Sequence, residues 1–517
     1  MEESLWLFTI LAFFFIMLVC NFITHKYGPS NPKKILPPSP PSIPIIGHLH
    51  LIRNRKEPLH RTLHKLSQKY GPVLFLRLGY RNLLVVSSPS AVEECFTKND
   101  VVFANRPRML AGKHLNYNYK SMIWAPYGDH WRTLRRLTTM ELFTTKQLSM
   151  LVELRKEEVR VLLKQLVKDC GTNGWAKVEL RDRLKKLSFN VMMQMIAGKR
   201  YYTEDEADQE ARRFREMIKE LKQIHGSFSN LNDFFPVLQL VDFQGVEKRM
   251  MELMKKMDGF YQSLIDEQRR MRSDGACSEG KPTLIDIMLS LQQLHPEFYT
   301  DETMKAVITS ILRGGTESAA TAVEFAMALL LNHPNEMEKA RAEIEANVGQ
   351  ERLLDEADLP KLEYLQKIYT ESTRLFPVAQ LLVPHESSEE CTVSGFHVPR
   401  GTQLLVNAWS IHRDPDLWEN PTKFMPERFE SGKISGFEGY KMIPFGAGRR
   451  GCPGAPLGKR LMGMLLGALI QCFEWEKIDG KEIDMTEGLY QSLSKAEHLK
   501  ALCKPRHDAR GILVTMG

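Results

Sequence analysis

From Leu5 to Ile23 the chain runs 19 residues without a charge, with Thr9, Cys20 and Asn21 as its polar members. As a helix this run spans ~28 Å, the hydrocarbon thickness of a bilayer. Glu2 and Glu3 precede it, where a cleaved signal peptide carries basic residues, and no small-residue cleavage site follows, so it reads as a retained anchor. His25, Lys26, Lys33, Lys34, Arg53, Arg55 and Lys56 lie beyond it, an asymmetry that places the bulk of the chain in the cytosol. Pro37, Pro38, Pro40, Pro41 and Pro44 then forbid helix and favour an extended connector. The expected organisation is an anchor over 1–24, a basic and proline-rich linker over 25–47, and one large domain over 48–517.

Helical periodicity dominates that domain. It predicts helices at about 126–140, 145–168, 205–225, 245–272, 301–332, 335–348, 360–375 and 454–474. Period-two runs predict strands at Val73–Leu78, Leu83–Ser87, Thr392–Val398 and Gln403–Asn407, the last two bracketing a turn at Pro399–Gly401. A mainly α domain with a minor β-sheet and no β-α alternation is neither a doubly wound fold nor a TIM barrel.

Composition narrows the chemistry. The 517 residues are 43% hydrophobic and 26% charged, with a net charge of +7, too small and dispersed a surplus to argue nucleic acid. None of the eight cysteines (Cys20, Cys95, Cys170, Cys277, Cys391, Cys452, Cys472 and Cys503) forms a C-x-x-C pair, which excludes zinc ribbons and covalent haem attachment of the C-x-x-C-H type. Gly446 to Gly451 spells G-x-G-x-x-G, but Pro444 occupies the strand that a dinucleotide fingerprint needs; Gly458-Lys459-Arg460 lacks the Ser or Thr of a P-loop. The same segment, Phe445-x-x-Gly448-x-Arg450-x-Cys452-x-Gly454, fixes five positions in ten residues, a match expected by accident about once in ten thousand such chains. A glycine turn that aims N–H groups at one sulfur, ahead of a helix N-terminus, stabilises a thiolate.

In this pattern the sequence resembles the cytochrome P450 family, the haem-thiolate monooxygenases. The resemblance implies a single P450-type domain on its transmembrane helix, with haem b (iron protoporphyrin IX) held through an axial cysteine thiolate. Cys452 would then ligate the metal, Phe445 pack against it, and Gly446 and Gly454 shape the loop. Arg450, Trp131, Arg135 and His385 would meet the propionates. Glu371, Arg374 and Arg428, from E-x-x-R and P-E-R-F elements, would form a structural Glu–Arg–Arg cluster. Other Glu/Arg pairs of the same spacing, such as Glu157/Arg160, read as solvated faces.

Gly314-Gly315-Thr316-Glu317-Ser318 resembles the family's oxygen-side helix, with Thr316, Glu317 and Ser318 as the catalytic set. There the two glycines would make room for O2, and Glu317 and Ser318 would deliver protons. Serine stands where threonine is usual, and back-bonding to its own helix is its alternative role. Arg313, about 200° from Gly315 and about 140° from Ser318 around a helix, is expected outside the pocket. The phrases "LVPHESSEECTV" and "PFGAGRRGCPG" look closest to plant microsomal members, the group with isoflavone hydroxylases and methylenedioxy-bridge-forming lignan enzymes. The pocket walls by analogy are Leu110–Ile123, Val378–Val383 and Leu489–Leu493, an apolar lining for a flat molecule. Endoplasmic reticulum membrane lipid, a small apolar substrate and NADPH–cytochrome P450 reductase are the implied partners, the reductase docking on Arg132, Arg136, Lys459 and Arg460. A haem isomerase or dehydratase and a non-enzymatic haem sensor are the rival readings.

Overall fold

The computed structural model describes residues 34–507 except 54–55, 172–173, 203–208, 225–229, 276–280, 431–437 and 490–491, together with positions 6, 9, 12–14 and 17. Most of the Leu5–Ile23 run, Cys20 and Cys277 lie outside them. Among the described residues no helix is long and apolar enough to cross a membrane.

The longer helices are α1 (Leu59–Tyr70), α2 (Asp129–Thr138), α3 (Val152–Cys170), α4 (Leu180–Ala197), α5 (Gln209–Ile224), α6 (Val246–Ser273), α7 (Leu284–Leu294), α8 (Asp301–Asn332), α9 (Pro334–Asn347), α10 (Glu363–Leu375) and α11 (Ala455–Cys472). Their ends follow local chemistry. The Thr300 side chain accepts from Thr303 N–H, and Asp301 and Glu302 occupy the first turn, so α8 starts where anions and a hydroxyl cap the free N–H groups. Pro334 opens α9 at its first position. The expected 145–168 helix is instead two, broken at Leu151.

The strands are β1 (Val73–Leu78), β2 (Arg81–Val86), β3 (Ala176–Glu179), β4 (His385–Glu386), β5 (Cys391–Val393), β6 (Phe396–Val398), β7 (Gln403–Val406), β8 (Phe473–Glu476) and β9 (Lys500–Pro505). One sheet has the order β1-β2-β7-β4 and another β3-β9-β8. The run predicted as one strand over Thr392–Val398 is the hairpin β5–β6, turning at Ser394-Gly395, both with positive φ. The proline-rich stretch lies on this framework: Pro38 O accepts from Phe75 N–H at 2.9 Å and Ile35 O from His397 N–H at 2.8 Å.

The centre of the molecule is α8, whose second half from Ala319 to Leu331 is buried almost throughout. It packs on α4, α10 and α11, and these four helices fix where the candidate site residues stand. Here the domain is single, mainly helical and carries small sheets, as the sequence predicts.

Candidate active site

The segment Ile443–Gly454 is a chain of tight turns. Gly446 and Gly448 take φ of 71° and 66°, and a Cβ on Gly448 would press on Asp100 Oδ1 at 2.8 Å, so glycine is required there twice over. Gly446 N–H donates to Ile443 O, Gly451 N–H to Gly448 O and Cys452 N–H to Phe445 O, at 3.0, 3.0 and 2.9 Å. This folding delivers Cys452 just ahead of α11. Its side chain is exposed, yet protein crowds it on the remaining sides. That crowding is the largest influence on the thiol and pushes its pKa up; the Gly454 N–H, the Arg135 charge and the Ala455 N–H pull it down. The helix start therefore works on the sulfur as the sequence pattern predicts, but does not by itself outweigh burial.

Three arginines and a histidine converge beside this thiol. Arg450 donates to Ala104 O at 2.7 Å and to Met122 O, and its guanidinium lies 4.3 Å over the ring of the buried Trp131. Arg135, one turn along α2 from Trp131, donates to Gly451 O at 2.7 Å. Arg106 donates to Ile123 O, Val383 O and Pro384 O. His385 on β4 gives its Nδ1–H to Phe103 O at 2.7 Å. Burial, then the charges of Arg106 and Arg135, depress Arg450 to about 8; burial alone depresses Arg106 to about 9. His385 is driven well below its usual range by burial and by Arg106 and Arg450. Among the described residues no carboxylate pairs with these three arginines. Mutually destabilised cations that hold only carbonyls await an anion, and a dianionic macrocycle with a metal at its centre fits both the cations and the nearby thiol. Arg106 carries no motif signal in the sequence and was not among the expected residues.

On α8 the expected residues separate by face. Gly314 is exposed and a Cβ there meets nothing within 4 Å. Gly315 does not share that opening, contrary to expectation: its Cβ would strike Met192 Sδ and lie 2.8 Å from Met192 Cγ, so this glycine serves the contact with α4. Thr316, on the far side from Gly314, is buried and gives its hydroxyl to Leu312 O. Ser318 Oγ donates to Gly314 O at 2.7 Å, the back-bonded geometry. Glu317 is held by Arg181 at 3.0 Å and Lys185 at 3.3 Å, and Arg181 also pairs with the fully buried Glu324 at 2.9 Å. Those partners on α4 were missed, because nothing local marks them.

Around the helix Arg313 lies about 200° from Gly315, about 140° from Ser318 and about 100° from the exposed Gly314. Its guanidinium turns inward to Leu115 O and Asn116 Oδ1, at 3.2 and 3.3 Å.

These two glycines give a paired prediction. Gly315→Ala is expected to destabilise by about 1–3 kcal/mol through overpacking on Met192, and Met192→Ala to relieve it. Gly314→Ala is expected to leave the melting temperature unchanged or raise it, since alanine favours helix by about 1 kcal/mol. Equal melting shifts for both would contradict the assignment of faces.

The Glu–Arg–Arg cluster is assembled. Glu371 and Arg374 are completely buried and meet at 2.6 Å, and Arg428 Nε reaches Glu371 Oε1 at 2.9 Å. Arg374 also donates to the carbonyls of His412 and Pro421, and Met425 N–H donates to Glu371. By contrast, Glu157–Arg160 is a 3.4 Å pair at side-chain exposures of 49% and 39%. His412 links this cluster to the cysteine loop: Nδ1–H donates to Arg374 O, and Nε2 accepts from Ile443 N–H at 2.9 Å.

Burial first, then Arg374 and Arg413, hold His412 down to about 3 from 6.5. A neutral histidine is thus required in the fold, while the unfolded chain protonates near 6.5. Its contribution is intact above pH 6.5 and is lost progressively as pH falls toward 3. Denaturant midpoints are expected to drop across that window, and His412→Gln to flatten that part of the profile. A parallel profile in the variant would refute the role.

Of the basic surface residues, Arg132 and Arg136 on α2 are exposed and Lys459 is half-buried. Arg460 is engaged internally, by Glu356 at 3.0 Å, so its charge does not face a partner as expected.

A domain that brings one cysteine thiol to a helix start beside clustered arginines has the build of a haem-thiolate protein. Comparison with known proteins agrees. The chain matches the sequence profile of the family Cytochrome P450 over residues 37–502, and it belongs to that family. It is 50% identical to Cytochrome P450 81Q32 of Catharanthus roseus, across 98% of both chains. It is 46% identical to a (+)-piperitol/(+)-sesamin synthase of Sesamum radiatum, across 99% of both. With an isoflavone 2'-hydroxylase of Glycyrrhiza echinata it shares 45%, across 96% of this chain and 97% of that one. The protein is accordingly an oxidoreductase of the P450 monooxygenase family, whose cofactor is haem with an axial cysteine thiolate.

Proposed function

We propose that this enzyme hydroxylates a flat, largely apolar aromatic plant metabolite of phenylpropanoid, isoflavonoid or lignan type, drawing electrons from NADPH through a membrane-bound reductase. The observation that carries the reading is the exposed Cys452 thiol set among Arg106, Arg135 and Arg450. Cys452 is the metal ligand, and Arg106, Arg135, Arg450, Trp131 and His385 hold the propionate edge. Phe445, Gly446 and Gly454 keep the thiolate loop in shape, and Glu371, Arg374 and Arg428 brace the region below it. When bound, haem supplies reductive O2 activation and oxidation of a substrate C–H bond.

The chain supplies protons and pose. Glu317, fixed by Arg181 and Lys185, is the proton store on α8. Ser318 Oγ donates to Gly314 O and keeps its lone pairs for a proton donor, one helical turn from the open Gly314. Thr316, turned into the helix, takes no part. The loop Leu110–Ile123 and the segment Val378–Val383 cover the substrate, with Leu493 N–H donating to Val378 O at 3.0 Å. The run Leu5–Ile23 anchors the chain once in the endoplasmic reticulum membrane, leaving the domain cytosolic, and Arg132, Arg136 and Lys459 form the reductase-docking side.

A second reading is methylenedioxy-bridge formation on an ortho-methoxyphenol, favoured by the 46% identity to a sesamin synthase. Turnover under 18O2 separates the two. A hydroxylase places one labelled atom in the product. A bridge-former oxidises the methoxy carbon and closes the ring with loss of water, giving a product two hydrogens lighter and unlabelled. Turnover that persists without reductase or NADPH would exclude both.

A further inference from the structure

Helix α3 ends at Cys170, and the chain that leaves it returns as β3, which pairs Ala176 with Cys503 on β9. Two cysteines 333 residues apart are thereby brought together. Cys170 Sγ lies 3.8 Å from Cys503 Sγ, and its S–H is aimed at Cys503 O at 3.4 Å. Both side chains are buried. Among the six described cysteines these are the two whose sulfurs meet.

A buried cysteine ordinarily packs as a small, inert apolar group. Two sulfurs in contact have a chemistry that neither has alone, since they can join in a bond of about 2.05 Å. The surroundings permit that approach. Cys503 is held in place, because β9 is the middle strand of β3-β9-β8 and is paired on both sides. Cys170 is the last residue of its helix and is followed by the exposed Gly171 at φ 48°, so its side chain can turn without disturbing a helix interior.

The two thiols are also unequal. Burial is the largest influence on each and pushes both up. For Cys170 the next influence is the S–H of Cys503, which pulls it down, and the Ala176 N–H and Arg183 help against Asp169. For Cys503 the next influence is the sulfur of Cys170, which raises it further. Cys170 is therefore the readier thiolate of the pair.

We infer that Cys170 and Cys503 form an oxidation site, at which a peroxide converts the two thiols into one disulfide that fastens the end of α3 to β9. The Cys170 thiolate attacks one oxygen of hydrogen peroxide, the O–O bond breaks, and hydroxide leaves. Cys503 then attacks the sulfenic sulfur and displaces its oxygen as water. In sum, two thiols and one hydrogen peroxide give one disulfide and two waters; the sulfurs are oxidised and the peroxide is reduced. In a reducing compartment both sulfurs stay thiols, and a rise in peroxide joins them. Because the loop so closed runs 333 residues, the bond strongly restricts the unfolded chain.

The test uses the purified full-length holoenzyme, treated with stoichiometric hydrogen peroxide, then denatured in N-ethylmaleimide and digested. The expected product is a linked peptide pair holding Cys170 and Cys503, two hydrogens lighter than the sum of its parts and separated by dithiothreitol. The melting temperature is expected to rise by about 5 °C on oxidation and to fall back on reduction. Cys503→Ala treated alike, which carries any damage to the haem equally, is expected to show neither change; there Cys170 stops at sulfenic acid, which dimedone captures. Both thiols recovered as maleimide adducts, or either of them joined to another cysteine, would overturn the inference, and the map of the parent decides this even where a variant does not fold. A linked pair without the rise in melting temperature, or the same rise in Cys503→Ala, would overturn the fastening role.

Discussion

Glu371→Ala is expected to yield little or no folded, haem-loaded protein. The substitution leaves Arg374, with no exposed surface, and Arg428, nearly buried, without the carboxylate they share. Removing one member of a buried ion cluster costs about 3–5 kcal/mol, because the charge left behind has already lost its water. Domain stabilities of about 5–15 kcal/mol leave little margin for such a loss. Backbone carbonyls of His412, Pro421 and Lys423 still receive Arg374, so the effect falls toward the middle of that range. Glu371→Gln, which keeps an acceptor, is expected to lose less. Glu157→Ala, at the exposed pair of the same spacing, is expected to cost under about 0.5 kcal/mol. Recovery of haem-loaded protein and the melting temperature read all three. A Glu371→Ala protein that melts with the parent would show that the cluster does not brace the fold.

The second large effect falls on chemistry. Glu317→Gln is expected to lower turnover by about 100-fold, within the range that positioned acids and bases contribute. The variant keeps the size of the side chain and its place opposite Arg181, which Glu324 continues to hold at 2.9 Å. Substrate affinity and the carbon monoxide spectrum should therefore stay as in the parent, while the solvent deuterium isotope effect on turnover rises. Ser318→Ala is expected to lose less, since its hydroxyl already spends its proton on Gly314 O. A Glu317→Gln enzyme within threefold of the parent, with an unchanged isotope effect, would place the proton path elsewhere.

How far these residues were legible in the sequence depended on whether their chemistry is local. Helix α8 was placed to the residue, because a capping threonine, two acids and a terminal proline punctuate a strong periodicity. Helix α4 was missed: its second half is buried on every side, so no polar face gives it a period. The sheet β3-β9-β8 was missed for a different reason, since it pairs Ala176 with Cys503 across most of the chain. The site divides the same way. Arg450 and Cys452 sit in one dense motif and could be read together. Arg106, Arg181 and Lys185 have their meaning only after separate elements converge, and no spacing announces that. Gly314 and Gly315 show the limit within a motif: of two adjacent identical residues one faces open space and the other a helix contact, and the neighbour Met192 decides which.

The central claim is that Cys452 is the thiolate ligand. A reduced-minus-oxidised carbon monoxide difference spectrum on membranes carrying the chain, beside Cys452→Ala, tests it most directly. The account predicts a strongly red-shifted Soret band in the parent and its loss in the variant. A folded, haem-loaded parent without that band, or a variant that keeps it, would contradict the assignment and the monooxygenase mechanism built on it.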